Sequence, residues 1–240
     1  MKTPALAAAA VGFPCLILFC GLILALRRRR PPVQINDVAA FVGLGLLTVV
    51  LGEIWSVLAE RWWLGRVNIG FYYAFLTAAI PEEGLRFVLI LYGLRRRTRL
   101  SLLTAMLLGS LVGLMFATYE HVLYAVSGGW GTWLARSFTS VLYHMLSGAV
   151  LGYVAANFLR TRNAQQLAWF AMLVILHGLA DWPLDDPISK DPDTVVETFM
   201  ISGWAGNIAS LLIVAAIAAG LFRKAINAEA NDADSCSAMR

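Results

Sequence analysis

Residues 71–97 read FYYAFLTAAIPEEGLRFVLILYGLRRR. The stretch opens with aromatic residues, continues as an apolar run and closes on three arginines. About 20 apolar residues cross the hydrocarbon layer as one helix. Aromatic rings at one end and arginines at the other are the marks of the two membrane–water interfaces. The middle of the run nevertheless holds Glu82, Glu83 and Arg86. A charge at mid-span costs about 2.5–3.5 kcal/mol on insertion scales, so such residues mark function by default. Pro81 removes the backbone hydrogen bond to the Thr77 carbonyl and predicts a kink at this depth, which is tolerated where a helix lines a cavity.

The rest of the chain has the same character. It has 240 residues, 59% hydrophobic and 14% charged, with a mean hydropathy of +0.70. Soluble domains carry about 25% charged residues. An ordinary soluble domain, a disordered chain and a nucleic-acid-binding module are therefore excluded. Apolar runs at 4–26, 37–59, 69–94, 100–126, 132–159, 164–181 and 200–222 predict an all-α, polytopic transmembrane bundle of about seven helices. The expected organisation is one transmembrane domain over residues 1–226 with a disordered cytoplasmic tail at 227–240. Three cysteines without CxxC spacing support neither a disulfide framework nor a zinc knuckle.

Basic residues set the expected orientation. Arg27–Arg30, Arg95–Arg97 with Arg99, Arg160 with Arg162, and Arg223 with Lys224 hold twelve of the nineteen lysines and arginines. All follow alternate helices, so the positive-inside rule predicts N-terminus outside and C-terminus in the cytoplasm. Arg136 falls among the few outer basic residues, and the acidic loop 185–197 is also expected outside. Trp62, Trp63, Phe71, Tyr72, Tyr73, Trp130, Trp133 and Trp182 fit an outer aromatic belt. Gly109/Gly113 and Gly148/Gly152 have the small-xxx-small spacing of closely packed helices.

Nine ionisable residues fall inside the predicted spans: Glu53, Glu82, Glu83, Arg86, Glu120, His121, His144, His177 and Asp181. Counting about 1.5 Å per residue places most of them between the outer interface and the bilayer centre, where four helices can meet on one polar cavity. At about 100° per residue, Arg86 lies between Glu82 and Glu83, one turn deeper. Two buried carboxylates sharing one cation suit acid–base chemistry. His177 and Asp181 are four apart, so the carboxylate can fix the imidazole tautomer. His121 points away from Glu120 and reads as a packed histidine. Glu53 has no partner that spacing names; it is expected either to line the cavity or to reach Arg61, and it stays outside the site.

Taken in order, Glu82-Glu83-x-x-Arg86, Phe116-x-x-x-Glu120, His144-x-x-x-Gly148 and His177-x-x-x-Asp181 resemble the PrsW-type membrane proteases. These are glutamic-type intramembrane peptidases related to the CAAX prenyl endopeptidase and Abi superfamily. The resemblance covers about residues 70–182. It departs from the family at Arg86, where lysine is usual, and at His121, where asparagine is common. It implies a multi-pass protein of the bacterial cytoplasmic membrane that hydrolyses a peptide bond in or beside a membrane-spanning substrate. Some members act in regulated proteolysis of membrane-bound anti-sigma factors.

The catalytic residues implied are Glu82, Glu83, His144 and His177, supported by Arg86, Glu120 and Asp181. One glutamate would take a proton from water, and the histidines would hold the water or donate to the oxyanion. No cofactor is expected on this reading. The alternative is a zinc-dependent protease with His144, His177 and Glu120 as ligands. A proton-coupled transporter or channel also uses intramembrane Glu and His, although the chain lacks paired broken helices. A membrane scaffold without catalysis is the third class.

Overall fold

The computed structural model describes residues 4–29, 33–63, 72–97, 100–181 and 192–238, with side chains given over most of them. Seven α-helices follow in chain order: α1 (Pro4–Arg27), α2 (Ile35–Trp63), α3 (Ile80–Arg95), α4 (Leu102–Phe138), α5 (Ser140–Thr161), α6 (Leu167–Asp181) and α7 (Pro192–Ala238). No strand occurs among the described residues. The chain is an all-helical membrane bundle, as its composition requires. Phe71, Trp182 and much of the acidic outer loop lie outside the described residues, as do the side chains of Trp62, Trp63, Tyr73, Trp130 and Trp133.

Four stretches are long and apolar enough to cross a membrane: Ile35–Ala59, Leu102–Tyr124, Arg136–Thr161 and Ala205–Asn231. The second and third are 83% and 78% buried within the protein, whereas the first and last are 22% buried. α4 and α5 therefore form the centre, and α2 and α7 present apolar faces outward. α3 and α6 have 16 and 15 residues and carry Glu82, Glu83, Arg86, His177 and Asp181 of the polar cluster, while α4 and α5 supply Glu120, Arg136 and His144.

The central helices touch backbone to backbone. A Cβ on Gly109 would overlap the Gly148 carbonyl, one on Gly113 the His144 carbonyl, and one on Gly152 the Ala105 carbonyl. Only glycine permits this approach, because van der Waals packing rather than water exclusion drives helix association in lipid. Leu108, Leu111, Val112, Leu151 and Val154 fill the core on either side of the seam.

Local chemistry sets the ends. Ser101 caps α4 by accepting the Thr104 amide at 3.1 Å. α5 stops at Arg162, whose left-handed backbone (φ 55°) donates its amide to the Phe158 carbonyl. Asn163 then accepts the Gln165 amide and starts the turn into α6. Before α3 the chain is π-helical over Tyr72–Ala79, and Pro81 sits in the first turn of the α-helix that follows. The sequence predicts a kink at Pro81, and the structure realises it as a change of helical pitch. Wide turns of this kind gather at functional sites.

Two further differences from the sequence reading stand out. α7 runs on to Ala238, through residues expected to be a disordered tail. Alanines recur there, and alanine is the strongest helix former. Glu229 from this extension pairs with Arg29 at the end of α1. Arg97 pairs with Asp37 at 2.5 Å, and Arg160 donates to the Leu100 carbonyl. These contacts gather arginine-bearing helix ends on one side of the bundle. The second difference is in α4. A straight helix would hold Glu120 and Arg136 about 24 Å apart, yet their side chains meet at 3.2 Å.

The glycine seam yields a direct expectation. Gly113→Val and Gly148→Val force α4 and α5 apart and should cost about 1–3 kcal/mol each, read as a lower unfolding temperature in detergent. Gly220→Ala, where nothing lies within 4 Å of an added Cβ, should cause no loss.

Candidate active site

The ionisable residues of α3, α4, α5 and α6 form one connected cluster. Its base is Arg86, fully buried together with Glu83. The guanidinium donates from Nη2 to Glu83 Oε1 at 2.6 Å, from Nη1 to Ser147 Oγ at 2.9 Å and from Nε to the Glu82 carbonyl at 3.3 Å. Its Cζ lies 5.2 Å from the Phe116 ring centre. One cation thus links α3 to α4 and α5. The i,i+3 spacing that places Arg86 beside Glu83 is local, whereas Ser147 is met only through the glycine seam, which brings α5 against α4.

Glu83 then reaches α6. Its Oε1 lies 3.0 Å from His177 Nδ1, and the other ring nitrogen, Nε2, is 3.1 Å from Asp181 Oδ2 and 3.6 Å from Glu82 Oε2. Gly178 makes room for this packing, since a Cβ there would overlap the Phe75 ring from the π-helical segment. His144 from α5 lies against His177 with ring centres 5.2 Å apart, and Tyr143 contacts both rings. His144 Nε2 is 2.8 Å from Glu120 Oε2, and the same oxygen meets Arg136 Nη2 at 3.2 Å.

Each residue proposed from the sequence therefore has a definite place. Glu82, Glu83, Arg86, Glu120, His144, His177 and Asp181 all belong to the cluster. His121 is buried on another flank of α4, with Nε2 3.3 Å from Ser137 Oγ. Glu53 is exposed on α2 and bonds the Tyr119 hydroxyl. Sequence reasoning missed Ser147 and Arg136. Ser147 lies one turn beyond His144 on the same helix, a spacing that could have flagged it. Arg136 is 16 residues from Glu120, and no helical periodicity predicts their meeting.

Three donors stand out within the cluster. One atom each from Glu82, His144 and His177 lie within 4.8 Å of one another. Glu82 Oε2 and His144 Nδ1 are buried and lack a hydrogen-bond partner among the described residues. Such orphaned atoms are costly without a ligand or water. Glu82, Glu83, Glu120 and Asp181 are interleaved with the guanidiniums of Arg86 and Arg136 and the imidazoles of His144 and His177. Two imidazoles and a carboxylate are a donor set suited to zinc with an open position, whose ligand atoms sit about 3.3 Å apart in a tetrahedral site. The residues present fit a divalent cation after a small closing movement. Glu120, the carboxylate expected from the sequence as the third ligand, is instead engaged with His144 and Arg136, and Glu82 takes that place in the donor group.

Arg86 is also the stability test of the cluster. Arg86→Met leaves Glu83 buried without its cation, and breaking a buried pair this way costs about 3–5 kcal/mol. The expected result is a lower unfolding temperature in detergent, with Glu83→Gln/Arg86→Met recovering part of the loss.

Comparison with known proteins follows this geometry. A family model described as "PrsW family intramembrane metalloprotease" matches residues 33–204, more than half of the chain. Protease PrsW of Geobacillus kaustophilus (strain HTA426) is 30% identical over 115 residues, covering 46% of this chain and 51% of that protein. Protease PrsW of Bacillus subtilis (strain 168) is 24% identical over 146 residues, covering 58% and 66% respectively. The chain thus spans between half and two thirds of the length of these relatives. No solved structure matches.

Proposed function

The chain belongs to the PrsW family of intramembrane metalloproteases, and from that premise we propose that it is a peptidase cleaving a peptide bond within or beside a membrane-spanning segment of a protein substrate. The observation that carries the reading is the donor group of Glu82, His144 and His177, buried among helices and holding unpartnered atoms. A membrane-anchored anti-sigma factor is a substrate of the class this family resemblance suggests. The arginine-rich helix ends gathered on one side support an outside N-terminus, with the cluster nearer the outer face.

Glu82, His144 and His177 would hold a divalent cation, with zinc the best match to two imidazoles and a carboxylate. When bound, such an ion polarises the scissile carbonyl and makes water a nucleophile near neutral pH. The chain's own groups do the rest. Arg86 holds Glu83 as a carboxylate, Glu83 accepts from His177 Nδ1, and Asp181 accepts from Nε2, which would coordinate a cation only after passing that proton to Asp181. Glu120 accepts from His144 Nε2 and leaves Nδ1 free to coordinate. Asp181 is the one carboxylate of the cluster with neither an arginine partner nor a place in the donor group, and it is the most exposed, at 26%. It gives the proton received from His177 to the leaving amine. The surrounding helices keep bulk water from the acyl centre.

One observation also favours a metal-free course. The orphaned Glu82 oxygen beside the His144 and His177 rings can itself receive the proton of a trapped water. The two courses separate by experiment. Purified protein in liposomes is given a peptide carrying a transmembrane segment, with and without a chelator. The expected result is about one zinc per chain, loss of cleavage on chelation and recovery on adding zinc. Glu82→Gln, His144→Ala and His177→Ala should each lower turnover at least about 100-fold and release the metal. Full turnover by metal-free protein favours the glutamate course, and near wild-type turnover in Glu82→Gln contradicts both.

A further inference from the structure

The cluster contains two relays of the same composition. In one, Arg86 on α3 holds Glu83, and Glu83 holds His177. In the other, Arg136 holds Glu120, and Glu120 holds His144. We propose that Arg136 is a positioning residue of the active site, acting through Glu120 to fix His144 with its proton on Nε2 and its Nδ1 lone pair turned into the donor group.

A carboxylate only accepts, so the 2.8 Å contact between Glu120 and His144 places a proton on Nε2, and in the neutral imidazole the lone pair is then on Nδ1. Nδ1 is the His144 atom that is buried without a partner. The tautomer is stable only while Glu120 stays a carboxylate, and Arg136 is the cation that meets its oxygen, at 3.2 Å. Arg136 is itself held in place. Its Nη2 donates to Ser140 Oγ at 2.9 Å, and its Cζ lies 3.8 Å from the Tyr124 ring centre. A guanidinium stacked on an aromatic ring and bonded on its edge is fixed in direction as well as in charge. Among the described residues, the groups that face Glu120 are His144 from α5, Arg136 and Tyr124 from α4 and Glu82 from α3, with His177 behind His144. Outer partners of this kind fix the tautomer of a ligating histidine and are worth about 10–100-fold in metal affinity or activity.

A simple structural clamp is the competing role, since Arg136 also ties Glu120 to Ser140 at the start of α5. The two roles differ in what they do to the imidazole. The proposal rests on the hydrolytic reading of the cluster, but its test does not need cleavage. Full-length protein labelled with ¹⁵N-histidine, chelated and in detergent, contains only three histidines. The spectrum of each reports which ring nitrogen bears the proton, and the His144→Ala spectrum identifies the His144 signals. Wild-type His144 should be the Nε2–H tautomer. Arg136→Gln should give a mixture of tautomers at His144 and leave His177 unchanged, whereas Arg136→Lys keeps the Nε2–H form. Turnover should fall about 10-fold in Arg136→Gln through kcat with KM unmoved, and Arg136→Lys should restore most of it. A wild-type His144 carrying its proton on Nδ1 overturns the proposal whether or not any variant folds. So does an Arg136→Gln protein whose His144 spectrum matches the wild type. If the tautomers follow the proposal and the wild-type protein cleaves nothing, the peptidase reading fails and the relay stands.

Discussion

The backbone contact between α4 and α5 is the constraint on which the site depends. Gly109 and Gly113 meet Gly148, Gly152 and the His144 carbonyl so closely that no side chain fits between them. In lipid there is no hydrophobic gain in pairing two apolar helices, so close packing of this kind has to supply the association. It fixes His144 directly, because the residue whose carbonyl Gly113 touches is His144 itself. It also fixes Ser147, which receives Arg86. α3 and α6 are held to this central pair by polar bonds, from Arg86 to Ser147 and from Tyr143 to the Leu173 carbonyl.

The polar bonds have a clear division of labour. Each arginine neutralises one glutamate, and each such glutamate holds one histidine. What remains is Glu82 and Asp181, both facing His177 Nε2. Fold and chemistry are linked here, since the arginine that makes the Glu120 carboxylate tolerable also turns the His144 lone pair inward.

Much of this was legible in the sequence. Apolar runs gave the helices because the bilayer imposes a length and a composition that few other contexts share. The Glu82-Glu83-x-x-Arg86 and His177-x-x-x-Asp181 pairs were legible because helical geometry places residues three and four apart on one face. The four Gly positions read correctly as close packing for the same reason. What stayed hidden is what tertiary geometry alone decides. Arg136 counts in the sequence only as an outer basic residue, and its contact with Glu120 is not readable from helical spacing. Spacing does not choose between Glu82 and Glu120 as a third donor, because Glu82 lies by His177, Glu120 by His144, and only tertiary geometry brings Arg136 to Glu120. The helical extension of α7 was obscured by its polar composition, which reads as a solvated tail even though its alanines favour a helix.

The central claim is that Glu82, His144 and His177 act together on one ion at the heart of the bundle. X-ray absorption at the zinc edge of the purified, zinc-loaded protein tests it most directly. The account predicts a first shell of nitrogen and oxygen with the outer scattering of two imidazole rings, reduced to one ring in His144→Ala. A shell without imidazole scattering, or one that His144→Ala leaves unchanged, would contradict it.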